Sequence, residues 1–208
     1  MKTKKEFENY LNNIKRTALE EGFDSLDETY VEHLRARYFE EDVIIGRTSR
    51  TILRELKMED LEALYEFEDA VNEPVLQAFI KEDKKTSEIY LHAYIQNMYP
   101  MYDYGIWAVE EKESERLIGL CGLGQSEVKG EFCTDLGYYI CPKWRNQGIA
   151  AECIEFVLDY VKNYLEFPYI YAIIKEENRI SKGILCKFGF EFQEKYEEVL
   201  IYQKNLKE

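Results

Sequence analysis

The stretch KWRNQGIAAEC, residues 143–153, places an Arg and two amides directly before a Gly, between an apolar strand pattern and an apolar helical pattern. A strand that turns tightly into a helix near Gly148 leaves the first backbone N–H groups of that helix without intrahelical partners. Those groups sit at the positive end of the helix dipole and form an anion site. Successive N–H groups in the loop can cradle a pyrophosphate. Gly148 lets a ligand approach the backbone closely. Ala150 keeps the next turn small, and Arg145 offers a planar, fork-shaped donor to phosphate oxygens. The stretch reads as a site for a phosphate-bearing ligand.

Other phosphate-binding patterns are absent from the chain. It contains no G-x-x-x-x-G-K-[ST], which excludes a P-loop NTPase. GLCGLG, residues 119–124, is Gly-rich but is not G-x-G-x-x-G. It leads into polar QSEVKGE rather than a helix, so it reads as a strand end and turn.

Around this stretch the pattern is that of a mixed α/β domain. Phe7, Tyr10, Leu11 and Ile14 recur at helical spacing. SLDE, residues 25–28, has the form of a capping box before a second helix carrying Tyr30, Leu34 and Tyr38 on one face. These two helices, within residues 1–45, form an N-terminal helical extension too small to hold a strong core alone. They are expected to dock on the rest of the chain or on a second copy. Residues 46–208 form the main domain. TSRTILREL reads as a first strand, and KMEDLEALYEFEDAV as a helix with Leu61, Leu64, Tyr65 and Glu68 at helical spacing. A second helix follows Thr86, its expected N-cap, with Ile89, Tyr90, Ala93 and Tyr94 as apolar positions. IWAVEE, RLIGLCGL and CTDLGYYIC then read as strands. After the quoted loop come the helix GIAAECIEFVLDYVKNYL, the strand YIYAIIK, the short helix SKGILCKF and a final strand pair around FEFQEK and EEVLIYQKNL. Helices, meander strands, then βαβα and a hairpin make an α/β or α+β fold with one mixed central sheet flanked by helices. Trp107 is read as core.

Composition narrows the function. The chain has 208 residues, 46% of them hydrophobic, enough for one sizeable core. No apolar run approaches the roughly 18 residues of a membrane span. The opening MKTKKEFENYLNNIK has lysines but no apolar signal-peptide core. The five cysteines, an odd number without C-x-x-C, read as reduced thiols of a cytoplasmic protein. With only His33 and His92 present, no metal site is expected. A net charge of −14 speaks against nucleic-acid binding and permits attraction of a basic substrate.

The pattern [QR]-x-x-G-x-[GA], here Arg145, Asn146, Gln147, Gly148, Ile149 and Ala150, resembles the acetyl-CoA signature of the GNAT acyltransferases. Downstream, NRISKGILCKFGF is similar to that family's N-x-x-S…K-x-G-F block, with Asn178, Ser181, Lys187, Gly189 and Phe190 in step. LGYYICPKWRNQGIAAEC and ILREL…DLEAL are similar to the branch of ribosomal-protein N-acetyltransferases of the RimJ/RimL type. The resemblance covers roughly residues 50–205.

The resemblance implies a GNAT fold and an N-acetyltransferase that moves the acetyl group of acetyl-CoA directly to a primary amine, on a small molecule or a protein N-terminus. It implies that the amides of residues 145–150 hold the pyrophosphate. The pantetheine arm would bond the backbone at Ile140 and Cys141, in a slot where the following strand splays away. Asn178 would bond the arm, and Ser181 would lie near the thiol. Asp135, on one strand face with Gly137, Tyr139 and Cys141, is the candidate general base. Its other reading is a strand-edge carboxylate. Ser181 is a candidate acid toward the leaving thiolate or the N-cap of its helix. Tyr138 and Tyr139 read as packing or slot-lining residues. Cys141 has no His partner that would make it a nucleophile. Glu66, Glu68, Asp69 and Glu73 read either as a guide for a cationic amine or as a solvated helix face. The acceptor is not legible, and a homodimer is compatible with the chain. A GNAT-fold module that holds CoA or a partner without efficient turnover is the alternative function.

Overall fold

A computed structural model describes residues 2–67 and 73–207. The chain divides into two compact units, Met1–Ile45 and Gly46–Glu208.

The first unit is a helical hairpin. In α1 (Lys4–Glu20) the Thr3 hydroxyl accepts from the Glu6 amide and the Glu6 carboxylate accepts from the Thr3 amide, which satisfies two orphan groups reciprocally. α2 (Glu28–Phe39) starts later than SLDE suggests. Its N-cap is Asp27, whose carboxylate accepts from the Thr29 and Tyr30 amides. Asp27 is the last residue in extended conformation and displaces Ser25 from the role. Phe7 packs against Tyr38 and Phe39 with ring centroids 5.3 and 5.6 Å apart.

In the second unit TSRTILREL is not one strand. Residues 48–50 turn between β1 (Ile44–Arg47), which straddles the unit boundary, and β2 (Thr51–Arg54). α3 (Asp60–Tyr65) is shorter than its apolar spacing suggests, and α4 (Pro74–Gln77) is one turn. Glu68 and Asp69 lie outside the described residues. α5 (Lys84–Tyr102) is capped by Asp83 rather than Thr86, because the Asp83 carboxylate accepts from the Thr86 amide. β3 (Ile106–Glu111) matches its sequence pattern. β4 (Arg116–Val128) runs straight through GLCGLG, so that segment is strand interior and not a turn. The glycines serve close packing there: a Cβ on Gly122 would meet the Gly105 carbonyl oxygen at 2.1 Å. β5 (Glu131–Ile140), α6 (Ile149–Tyr160, extended by a π-helical stretch over Val161–Leu165), β6 (Tyr169–Lys175), α7 (Arg179–Lys187), β7 (Glu191–Tyr196) and β8 (Val199–Asn205) complete the chain.

The sheet order is β1-β2-β3-β4-β5-β6-β8-β7. β5 and β6 run parallel, while β2–β3, β3–β4, β4–β5, β6–β8 and β7–β8 are antiparallel. α6 buries Ile149, Cys153, Ile154, Val157 and Leu158, each large aliphatic contributing about 1.5–3 kcal/mol. Trp107 is fully buried and meets the Tyr160 ring edge-on at 5.1 Å. On the other sheet face, α4 brings Val75 to within 3.4 Å of where a Gly137 Cβ would stand. At the start of α3, buried Arg54 forks onto Asp60 through two 2.8 Å bonds and reaches Glu110 at 2.9 Å. Breaking such a buried pair by removing one partner typically costs about 3–5 kcal/mol, so this network fixes the segment that leads to the site. Among the described residues no helix is long and apolar enough to cross a membrane.

Candidate active site

β5 and β6 meet in register at one pair, Asp135 opposite Tyr171. Beyond it toward their C-terminal ends the two strands part, and a cavity of about 400 Å³ opens there. Its lining includes Tyr138, Tyr139 and Ile140 from β5, Arg145, Asn146, Gly148, Ile149 and Ala150 from the loop and α6, and Asn178 and Ser181 from α7. Eight of the eleven sequence-derived site residues therefore converge on one slot: Ile140, Arg145, Asn146, Gly148, Ile149, Ala150, Asn178 and Ser181. Cys141, Gln147 and Asp135 are not in that lining.

At the start of α6, Gly148 is the N-cap with φ 81°, ψ 2°, and no side chain caps the helix. This left-handed conformation favours Gly, and Asn146, at φ 60°, tolerates it too. The amides of the first turn are thus left to a ligand. Gln147 folds back and donates to the Lys143 carbonyl at 3.1 Å, so its side chain stiffens the loop. Arg145 is not extended as a free phosphate clamp. Its Nε donates to the Ile140 carbonyl at 2.8 Å and its guanidinium lies 5.4 Å from the centre of the Tyr139 ring. Arg50, far earlier in the chain, also stands over the cradle: its Nη2 is 3.5 Å from where a Gly148 Cβ would be. Its Nε donates to Glu152 at 2.8 Å in the first turn of α6. Burial pushes the Glu152 carboxyl up, and hydrogen bonds from Arg50, Ser49 and Thr48 more than offset this, so its net shift is downward.

The backbone of β5 decides which peptide groups face the slot. The Cys141 amide donates to the Ile118 carbonyl on β4 at 2.9 Å. Cys141 therefore differs from expectation, since its N–H is already spent inside the sheet. By antiparallel alternation the peptide groups of Tyr138 and Ile140 point the other way, toward the parting with β6. An added strand-like ligand would bond Tyr138 and Ile140 rather than Ile140 and Cys141.

At the start of α7 the roles of Asn178 and Ser181 are reversed relative to the capping alternative. Asn178 is the N-cap, and its Oδ1 accepts from the Ser181 amide at 3.0 Å. The Ser181 hydroxyl is thereby released from capping and lines the slot. Tyr138 lies beside it. Burial raises the Tyr138 phenol to about 12, Ser181 acts against this, and Cys121 and Glu73 add to it. The Tyr138 hydroxyl is buried without a hydrogen-bond partner of good geometry. Asp135 sits at the closed end of the parting. Burial raises its carboxyl above the ordinary value of 3.8, with Ser126 acting in the opposite direction. Its Oδ1 is buried and has no hydrogen-bond partner of good geometry. Trp144, Ile184 and Phe188 supply apolar walls, and Glu73 enters from the segment before α4. Trp144 belongs to the quoted stretch and Glu73 to the acids that read as an amine guide or a solvated face, whereas nothing in the sequence near Arg50 links it to the site.

The site is thus an uncapped helix N-terminus beside a slot between parting parallel strands. The model of the acetyltransferase (GNAT) domain matches residues 50–191. The chain belongs to the GNAT acetyltransferase family. An uncharacterized N-acetyltransferase of Bacillus subtilis, YoaA, is 32% identical over 154 residues, covering 71% of this chain and 82% of that protein. Among solved structures, an acetyltransferase from Agrobacterium tumefaciens superposes with a TM-score of 0.62 at 21% identity, covering 77% of this chain and 93% of that one. RimL, a ribosomal L7/L12 alpha-N-protein acetyltransferase solved with coenzyme A, gives 0.63 at 13% identity, covering 78% and 98%. At these identities the structural likenesses speak to the GNAT fold.

Proposed function

We propose that the protein transfers the acetyl group of acetyl-CoA directly to a primary amine. The observation that carries this reading is the uncapped N-terminus of α6 opening onto the slot between β5 and β6. The residues fit the cosubstrate: the first-turn amides of α6 and the left-handed Gly148 suit the pyrophosphate, and Tyr138 and Ile140 offer backbone groups to the pantetheine arm. Acetyl-CoA supplies the activated acetyl group. The chain's task is to hold the thioester and a neutral amine at attack distance, which can provide much of the rate. Ser181, which lines the slot, is the candidate hydrogen-bond donor to the sulfur, and Asp135, raised by burial, is the candidate proton acceptor from β5. Thiol release from acetyl-CoA, measured with a panel of α-amines, polyamines and aminoglycosides, tests the reading. Turnover with at least one class of amine is expected.

A second reading, a GNAT-fold module that holds CoA without efficient turnover, is favoured by one observation: Asp135 lies outside the slot lining. Tight acetyl-CoA binding with no thiol release across the panel would select it. We further propose residues 1–45 as a helical extension and 46–208 as the catalytic domain. Limited proteolysis is expected to cut near that boundary first.

A further inference from the structure

Of the acidic residues between Glu59 and Glu73 that the structure describes, Asp60 is locked on Arg54 and Glu62 is paired with Lys84. Glu59 and Glu66 are exposed and outside the slot. Glu73 alone among them lines the slot. It is half-buried. Its backbone carbonyl starts α4 by accepting from the Leu76 and Gln77 amides, but its carboxylate caps nothing. Among the described residues that carboxylate has no hydrogen-bond or ion-pair partner. Its charge and Cys121 add to the upward push of burial on the Tyr138 phenol, which Ser181 opposes.

Ser181 and Glu73 enter the slot from opposite faces of the sheet. Ser181 belongs to α7, on the face that carries α6 and the phosphate cradle. Glu73 leads into α4, which packs over Gly137 on the other face. The slot where β5 and β6 part is thus lined from both helix layers, with a distinct charge on each side. Arg145, Lys187 and the uncapped α6 amides line the slot on the cradle side. The Glu73 carboxylate enters the lining from the α4 side. An anionic cosubstrate on one face leaves the other face as the route for the second substrate. A partly desolvated carboxylate without a counter-ion favours a cation there, since burying an unpaired charge is costly.

We propose that Glu73 receives the acceptor, holding its ammonium group at the thiol end of the slot, and that the acceptor class is a cationic primary amine with no acidic group beside it. This rests on the acetyltransferase reading and adds to it a substrate-binding residue and a charge rule. A carboxylate adjacent to the amine, as in a free amino acid, would be repelled by Glu73. The α-amine of a peptide chain or the terminal amine of a polyamine satisfies the rule.

Two CoA thioethers test this whichever amine is the natural acceptor. S-(2-aminoethyl)-CoA carries an ammonium just beyond the sulfur, and S-propyl-CoA is its neutral counterpart. Their dissociation constants, with that of CoA itself, are measured by calorimetry for the wild type, Glu73→Gln and Glu66→Gln. The wild type is expected to prefer the aminoethyl compound by roughly fivefold, the effect of a partly exposed ion pair. Glu73→Gln should abolish the preference while binding CoA within about twofold of the wild type, which also shows that the variant is folded. Glu66→Gln should keep the preference, because an exposed acid outside the slot contributes only a screened field. Absence of preference in the wild type, or its survival in Glu73→Gln, overturns the proposal while CoA binding leaves the acetyltransferase reading intact. Failure of CoA itself to bind overturns both.

Discussion

At the cradle end of the slot, the consecutive residues 145–150 make one turn of loop and the first turn of α6, and nearly every functional group is a backbone amide. At the other end, the lining residues Tyr138, Ser181 and Glu73 come from β5, α7 and the segment before α4, and the groups proposed to act there are side chains. The first end is held by local geometry: Gly148 and Asn146 in left-handed conformations, and Gln147 bonded back to Lys143. The second depends on how the sheet and both helix layers pack. A contiguous backbone site is robust to side-chain change and fragile to a change of φ. A composite side-chain site has the reverse sensitivities.

Substitution at the cradle should have the largest effect. Gly148→Glu puts a side chain at φ 81° and a negative charge over the amides. Acetyl-CoA affinity by calorimetry is expected to fall at least about 100-fold, the loss of two or three charge-assisted hydrogen bonds. Retained micromolar affinity would break the distinction between the two ends. Next, Ser181→Ala should lower kcat by about 100-fold while changing the acetyl-CoA dissociation constant far less. Equal losses in both would make Ser181 part of the binding surface. Arg50→Gln should weaken acetyl-CoA by roughly threefold to tenfold, on the scale of one partly exposed charge, with a reduced salt dependence. No change in either would mean that its pairing with Glu152 is its whole role. The smallest effect is thermal. The Asp135 carboxyl is raised in the folded state, so the native protein binds this proton more tightly than the unfolded chain does. Stability is then lost as pH climbs from 3.8 through the raised value, and the cost is complete above it. Asp135→Asn should raise Tm at pH 7 by about 2–4 °C, and the difference from wild type should vanish as pH falls through that window. A lower Tm at pH 7 would show that the charged carboxylate is held by favourable partners.

The same contrast explains what can be read from sequence. The cradle is legible because its parts are adjacent, and β3 and β6 are legible because their apolar runs match their spans. The parts that differ depend on competition between near neighbours. Asp27 and Asp83 take caps that Ser25 and Thr86 are equally able to fill by type. β4 continues through GLCGLG because Gly122 lets Gly105 approach, a partner well separated in the chain that no local pattern marks. Adjacency pairs Cys141 with Ile140, but alternation along β5 gives its amide to Ile118. Glu73 is legible only as one acid of a run that reads equally as an amine guide or a solvated face, and Arg50 leaves no local signal, since what makes it part of the site is the path of the chain between it and Gly148.

The central claim is that KWRNQGIAAEC forms a CoA-binding cradle. Thermal unfolding of the purified protein with acetyl-CoA, CoA and ATP tests it most directly. A ligand at about 100 times its Kd stabilises the folded state by about 2.7 kcal/mol. The account predicts a clear rise in Tm with acetyl-CoA and CoA, and little with ATP, which lacks the arm that fills the slot. No shift with any of the three would contradict it.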